Sequence, residues 1–166
     1  DVTRNNRLVS LGCADNHLTN LDVSNNNLLE KLSCYQNELT SLNMVNNNNL
    51  ESLSCDLNPL SELDCSNLKK LKYLRCTSTS LQTLRIVNCE NLWGLDCFNG
   101  QNNKFEAQLT SLDCSGCYSL YNLEMSNNVL SSLNICDCAD LFCLRLTGNR
   151  LEKLDISNNK SLSSLI

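Results

Sequence analysis

The stretch LTNLDVSNNNLLEKLSCYQNEL, residues 18–39, decides the fold. Leu21-x-Val23 and Leu32-x-Cys34 each set two apolar residues around one polar residue, the period of a strand with one buried face. Asn and Ser follow each triplet and supply turn chemistry. The next stretch, TSLNMVNNNNLESLSCDLNPL (40–60), repeats the pattern position for position. No stretch keeps apolar residues at helical spacing for more than a turn.

Leu-x-apolar triplets recur outward from this stretch at Leu11, Leu21, Leu32, Leu42, Leu53, Leu63, Leu74, Leu84 and Leu95, in steps that alternate 10 and 11. The next triplet, at Leu112, falls seven positions later than the pattern asks. The alternation resumes through Leu123, Leu133, Leu144, Leu154 and Leu165. The period is therefore one step of each kind, roughly 21 residues, within the range of known solenoid repeats. It is interrupted once, by a seven-residue insertion within 98–108. One coil buries about six apolar side chains, worth roughly 9–18 kcal/mol. Ordering its backbone costs roughly 20–40 kcal/mol. A lone coil cannot fold, so neighbours must stack and share strand ladders.

The unit LxxLxCxxNxLxxLDxSxNxxL resembles the leucine-rich repeat, and within it the short 21-residue bacterial subclass. The resemblance recurs through essentially the whole chain. It implies a β-rich solenoid of about seven coils, with two parallel strand ladders and little or no helix. It also implies a secreted or cell-surface protein; the abundance of cysteine would equally suit a reducing cytoplasm. Asp1–Leu8 aligns with Asp22–Leu29, and the chain stops at Leu165-Ile166. Both ends thus fall inside a repeat, and the expectation is one domain over 1–166 cut from a longer protein or with its flanks removed.

Stacking turns each repeat position into a column. Cys13, Cys34, Cys55, Cys76 and Cys97 share theirs with Met125 and Leu146; Cys65 and Cys114 share theirs with Val23, Met44, Ile86 and Ile135. Cysteine in these columns reads as a small hydrophobe facing the core. The turn after the second strand gives Asn26, Asn47, Cys89, Cys117, Cys138 and Asn159; the turn after the first gives Asn16, Asn37, Asn58, Asn128 and Asn149. In leucine-rich repeats these are inward ladder positions that satisfy turn backbone groups. Cys114-Ser-Gly-Cys117 has the CxxC spelling and Cys136-Asp-Cys138 resembles a metal pair, but Cys114, Cys117 and Cys138 sit in inward columns and the one histidine, His17, lies in the first coil. A zinc site needs four converging ligands, so no metal and no cofactor is expected. Cys136 and Cys143 fall in outward columns.

The net charge of −5 has no clustered Lys or Arg to offset it, which argues against nucleic acid. No apolar run reaches the ~18–20 residues of a membrane span. Neither a nucleophile–base pair nor a phosphate loop is visible, so no enzyme activity is expected. Function must lie on the outward columns. One runs Val9, Glu30, Glu51, Lys72, Trp93, Tyr121, Phe142, Ser163, with Tyr73 and Phe98 near it in the unrolled lattice. These five aromatics, in a chain only 5% aromatic, form the candidate binding surface for a protein or glycan. Their competing role is packing over the strand edge or under the insertion, where Phe105 is a candidate anchor. The Asp1, Asp22, Asp64, Asp113, Asp155 column is too flat for calcium, which wants six to eight oxygens, and reads as a solvated face. The leading function is an interaction module; the alternative is a spacer in a larger surface protein.

Overall fold

A computed structural model describes residues 1–100, 105, 106 and 108–166. Its strands in chain order are β1 (Ser10–Gly12), β2 (Lys31–Ser33), β3 (Ser52–Ser54), β4 (Glu62–Asp64), β5 (Tyr73–Arg75) and β6 (Thr83–Arg85). They continue as β7 (Gly94–Asp96), β8 (Ser111–Asp113), β9 (Asn122–Glu124), β10 (Ser132–Asn134), β11 (Cys143–Arg145) and β12 (Ser164–Leu165). No helix occurs among the described residues.

The first-half strands make one eight-stranded parallel sheet in the order β1-β2-β3-β5-β7-β9-β11-β12. Its register aligns Leu11, Leu32, Leu53, Leu74, Leu95, Leu123, Leu144 and Leu165 in one row. Leu95 pairs with Leu123 directly across the insertion, so the extra residues leave the ladder in register. Those residues fall largely on 101–104 and 107, outside the described set.

The second half-repeat is less regular than two full ladders would be. Its strands form two separate pairs, β4-β6 and β8-β10, and the triplets at Leu21, Leu42 and Leu154 carry no strand. All of these segments except the one ending at Arg85 are closed by a side chain of their own. The Asp oxygens of Asp22, Asp64, Asp113 and Asp155 accept the backbone N–H two residues on, from Ser24, Ser66, Ser115 and Ser157, at 2.9–3.0 Å. Asn43 and Asn134 do the same for Val45 and Cys136. Such local bonds turn the chain after three residues. The column is the solvated face expected of it, with Asp22, Asp64, Asp113 and Asp155 all exposed, and it is at the same time a row of turn caps.

Left-handed backbone recurs in the turns at Asp15, Gln36, Leu57, Ser78 and Asn127, and at Asn46, Asn67 and Asn88, with Gly148 and Gly116 taking the matching places. At Gly116 a Cβ would meet Asn88 Oδ1 at 2.5 Å, so this coil requires glycine on both conformational and steric grounds.

The core is a column of Leu with Cys, Ile, Val and Met between the sheet and the second-half segments. Cys34, Cys55, Cys65, Cys76, Cys89, Cys97, Cys114, Cys117 and Cys138 are buried, Cys13 and Cys143 half-buried and Cys136 exposed. Asp56 departs from the sequence expectation: it belongs to an outward column but is 5% exposed. Its carboxylate accepts from Ser54 Oγ (2.6 Å) and from the N–H and Oγ1 of Thr77 (2.9 and 2.8 Å), which offset the cost of burying it.

Candidate interaction surface

Strands β5, β7, β9 and β11 each follow an inward residue, Leu71, Leu92, Leu120 or Leu141, that is fully buried. The next residue in each coil is Lys72, Trp93, Tyr121 or Phe142. Its backbone is tied along the solenoid axis: Trp93 N–H donates to Lys72 O, Tyr121 N–H to Trp93 O, Phe142 N–H to Tyr121 O and Ser163 N–H to Phe142 O, each at 2.9 Å. The column therefore advances by one strand spacing per coil, about 4.8 Å.

That spacing suits flat rings. Trp93 and Tyr121 stack with centroids 5.1 Å apart and planes 8° from parallel; Tyr121 and Phe142 stack at 5.0 Å and 4°. Tyr73, one coil earlier and one residue further along its strand, closes the Trp93 end with an edge-on contact at 5.8 Å and 61°. Tyr73, Trp93 and Phe142 are exposed, and Tyr121, between two rings, is half-buried. Four of the five candidate aromatics are thus one continuous object. Phe98 is not part of it. It is exposed at the far end of β7, where its N–H bonds Asp96 Oδ1 at 3.3 Å.

Beside the rings the outward face carries charges of alternating sign. Arg75 lies 3.8 Å from both Asp56 and Asp96, and Arg145 lies 3.7 Å from Glu124. Lys72 pairs with Glu51 at 2.9 Å. Burial raises the Asp96 pKa, an effect that the Phe98 N–H and Arg75 only partly offset.

Phe105 lies elsewhere. It lines a groove of about 470 Å³ with Asp15, Asn16, His17, Gln36, Asn37, Glu38 and Leu57, in the first three coils. The His17–Glu38 contact there, at 3.0 Å, is fully open to solvent on the histidine side.

The ladder side chains show how the turns are held. In the first-half turns Asn58 Nδ2 donates to the carbonyls of Cys34, Cys55 and Asp56 at 3.0–3.1 Å, and its Oδ1 accepts Leu39 N–H at 3.0 Å. Asn37 repeats this with Cys13, Cys34, Tyr35 and Leu18. Asn149 bonds Met125 O, Leu146 O and Leu130 N–H, and Asn128 bonds Cys97 O and Met125 O. Asn16, in the first coil, is exposed and reaches only Cys13 O and Ala14 O of its own turn.

In the second-half turns Asn26, Asn47 and Asn159 each donate to two carbonyls of the coil before, those of Val2 and Asn5, Val23 and Asn26, and Ile135 and Cys138. Cys89, Cys117 and Cys138 donate from Sγ to one, at Cys65 O (3.0 Å), Ile86 O (3.2 Å) and Cys114 O (3.8 Å). Burial pushes the Cys34, Cys89 and Cys117 thiols up to about 12, so at neutral pH they are protonated and poor nucleophiles. The described residues hold no group of three or more potential ligands that could bind a metal.

No family profile and no curated protein matches the chain. Solved structures do. The functional domain of InlJ from Listeria monocytogenes, described as including a cysteine ladder, is 30% identical with a TM-score of 0.61, over 99% of this chain and 40% of that one. A leucine-rich-repeat protein of Leptospira interrogans is 20% identical with a TM-score of 0.50, over 99% of this chain and 55% of that one. An internalin of Listeria monocytogenes is 19% identical with a TM-score of 0.51, over 99% and 62%. The chain thus spans less than two thirds of each, and the last two likenesses concern the fold alone.

Proposed function

We propose that this leucine-rich-repeat solenoid, built on the 21-residue coil of the short bacterial type, is a non-enzymatic protein-binding module that contacts its partner through Tyr73, Trp93, Tyr121 and Phe142. The observation that carries the reading is the parallel stacking of two exposed rings, Trp93 and Phe142, on either side of half-buried Tyr121 on the regular sheet. Rings held by their neighbours have little rotamer freedom left to lose, so they supply contact area at low entropic cost. Stacking also selects the partner class. A sugar binds an aromatic by its face, and the faces inside this stack cover one another. That leaves the ring edges, and the indole and phenol groups of Trp93, Tyr73 and Tyr121 combine apolar area with polar atoms, which suits the mixed chemistry of a protein surface. Phe98, across the strand, would sit at the rim. The module works at the bacterial surface or after secretion, in keeping with the likeness to the Listeria structure.

The test uses peptides selected by phage display against the wild-type chain. The double substitution Trp93→Ala/Tyr121→Ala should weaken the selected peptides by about tenfold or more, as loss of a hot spot does. Its melting temperature should stay near that of wild type. Unchanged peptide affinity together with a lost several kcal/mol of stability would make the stack structural and leave the spacer role. Selective binding on a glycan array, lost in the double variant, would overturn the choice of protein over sugar.

A further inference from the structure

On the second-half side, successive coils are tied together in two ways. Where strands pair, as in β4-β6 and β8-β10, one thiol rung is added: Cys89 Sγ to Cys65 O at 3.0 Å and Cys138 Sγ to Cys114 O at 3.8 Å. Where strands do not pair, the amide of Asn26, Asn47 or Asn159 donates twice to the coil before. Between β6 and β8 the ties are Asn88 N–H to Ser115 O and Cys117 Sγ to Ile86 O. The joint between the segment at Leu42 and β4 has neither kind. No strand forms over 41–44, and the ladder residue that should reach back is Leu68, which carries no donor. Among the described residues one polar contact crosses this joint on the second-half side, an exposed bond from Lys70 Nζ to Asn49 Oδ1 at 2.8 Å. Two grooves follow the joint, one of about 380 Å³ between Met44–Asn46 and Asp64–Leu68 and one of about 310 Å³ between Thr40–Asn43 and Ser61–Asp64. The first-half side is complete: β2 pairs with β3, and Asn58 Nδ2 donates to Cys34 O at 3.0 Å.

We infer that this joint is a hinge. The coils before it swing against the coils that carry the ring stack, turning about the β2-β3 pairing while the second-half side opens and closes. The reason is the kind of contact left there. What holds that side is the burial of Leu42, Met44, Leu63 and Leu68, and apolar burial is non-directional. It resists separation but sets no spacing or angle, whereas the hydrogen bonds at the other joints set both. The inference does not depend on what the rings bind. A partner that touches the rings and the first two coils together would select one angle of the hinge.

Native-state labelling with N-ethylmaleimide, resolved by site in a mass spectrometer, tests it, because a buried thiol reacts only through local opening. Cys65 and Cys114 share a column and both are fully buried. Cys65 faces the joint, while Cys114 has ties to the coils on both sides. Cys65 should alkylate about tenfold faster than Cys114 or more. Cys34, buried on the sheet side of the coil before the joint, should stay as slow as Cys114, because the hinge line keeps it closed. Leu68→Asn supplies the missing donors toward Met44 O and Asn47 O, as Asn47 does toward Val23 O and Asn26 O. It should slow Cys65 severalfold and leave Cys114 unchanged. If the lost leucine packing speeds both thiols instead, Lys70→Ala decides: removal of the one polar tie should speed Cys65 about twofold or more at an unchanged Cys114 rate. Three results would each overturn the inference: Cys65 as slow as Cys114, a Cys65 rate that neither substitution moves relative to Cys114, or Cys34 labelling in step with Cys65. The last would mean that the first coils fray as a whole rather than turn on the sheet.

Discussion

The two turn ladders of this solenoid do the same job with different chemistry, and the difference explains where cysteine is allowed. Asn37, Asn58 and Asn149 of the first half use both ends of the amide: Asn58 donates to three carbonyls and accepts Leu39 N–H. A second-half Asn uses one end. Asn26, Asn47 and Asn159 donate to two carbonyls, and their Oδ1 atoms are buried with no partner. Thiol for amide therefore forfeits an acceptor that is needed in the first turn and idle in the second. Cys replaces Asn three times in the second ladder, at Cys89, Cys117 and Cys138, and never among the described members of the first, where Gly100 and Thr79 depart from Asn and Thr79 bonds Cys76 O at 3.0 Å.

Asn58→Cys should be the most damaging change in either ladder. Cys34 O would keep Asn37 Nδ2 and Asp56 O would keep Gln36 N–H. Leu39 N–H and Cys55 O would be left buried with no partner, at about 1–3 kcal/mol each. Urea unfolding should show a loss of about 3 kcal/mol or more. The same substitution at Asn47 is the control. Val23 O keeps Asn26 N–H and Asn26 O keeps Leu29 N–H, and the unpartnered Oδ1 is removed. Asn47→Cys should therefore lie within about 1 kcal/mol of wild type, on either side. Equal losses at the two sites would break the comparison.

The sequence carries the period, the register and the identity of every inward column, because each is a repetition and repetition survives without coordinates. It could not separate the two ladders: Asn reads the same whether its carbonyl is used or idle, and only the position of the neighbouring N–H decides. The Asp column is similar. Spacing placed its members on one outward line, but the bond from Asp22 to Ser24 N–H depends on a turn two residues long that periodicity does not report. The aromatic column was legible as a column. Its stacking geometry, and the exclusion of Phe98, follow from side-chain directions on the sheet. Asp56 escaped because its partners, Ser54 and Thr77, are ordinary surface residue types taken singly.

Acid titration gives the finest test, since the two half-repeats hold carboxylates shifted in opposite directions. In the second half, Asp113 is lowered from 3.8, first by the hydroxyl of Ser115, with its N–H and Asn134 adding to it. Its folded-state value lies below the unfolded one. The stability it adds is therefore present above about 3.8 and is lost as pH falls through the folded value. In the first half, Asp96 is raised from 3.8 by burial. Its contribution has the reverse sign: present below the unfolded value and lost as pH rises through the folded one. At neutral pH, Asp113→Asn should then melt below wild type and Asp96→Asn at or above it. The Asp96 difference should shrink toward zero once the solution is more acidic than the ordinary carboxyl value, and the Asp113 difference only at still lower pH, below its own lowered value, where each wild-type side chain is neutral as well. Arg75 moderates the second effect, lying 3.8 Å from Asp96, so that difference should be the smaller of the two. Melting curves of the three proteins across this range decide it: two differences of the same sign at neutral pH would mean that the charge of Asp96 is stabilised on this face, and that the two half-repeats do not differ in how they hold a carboxylate.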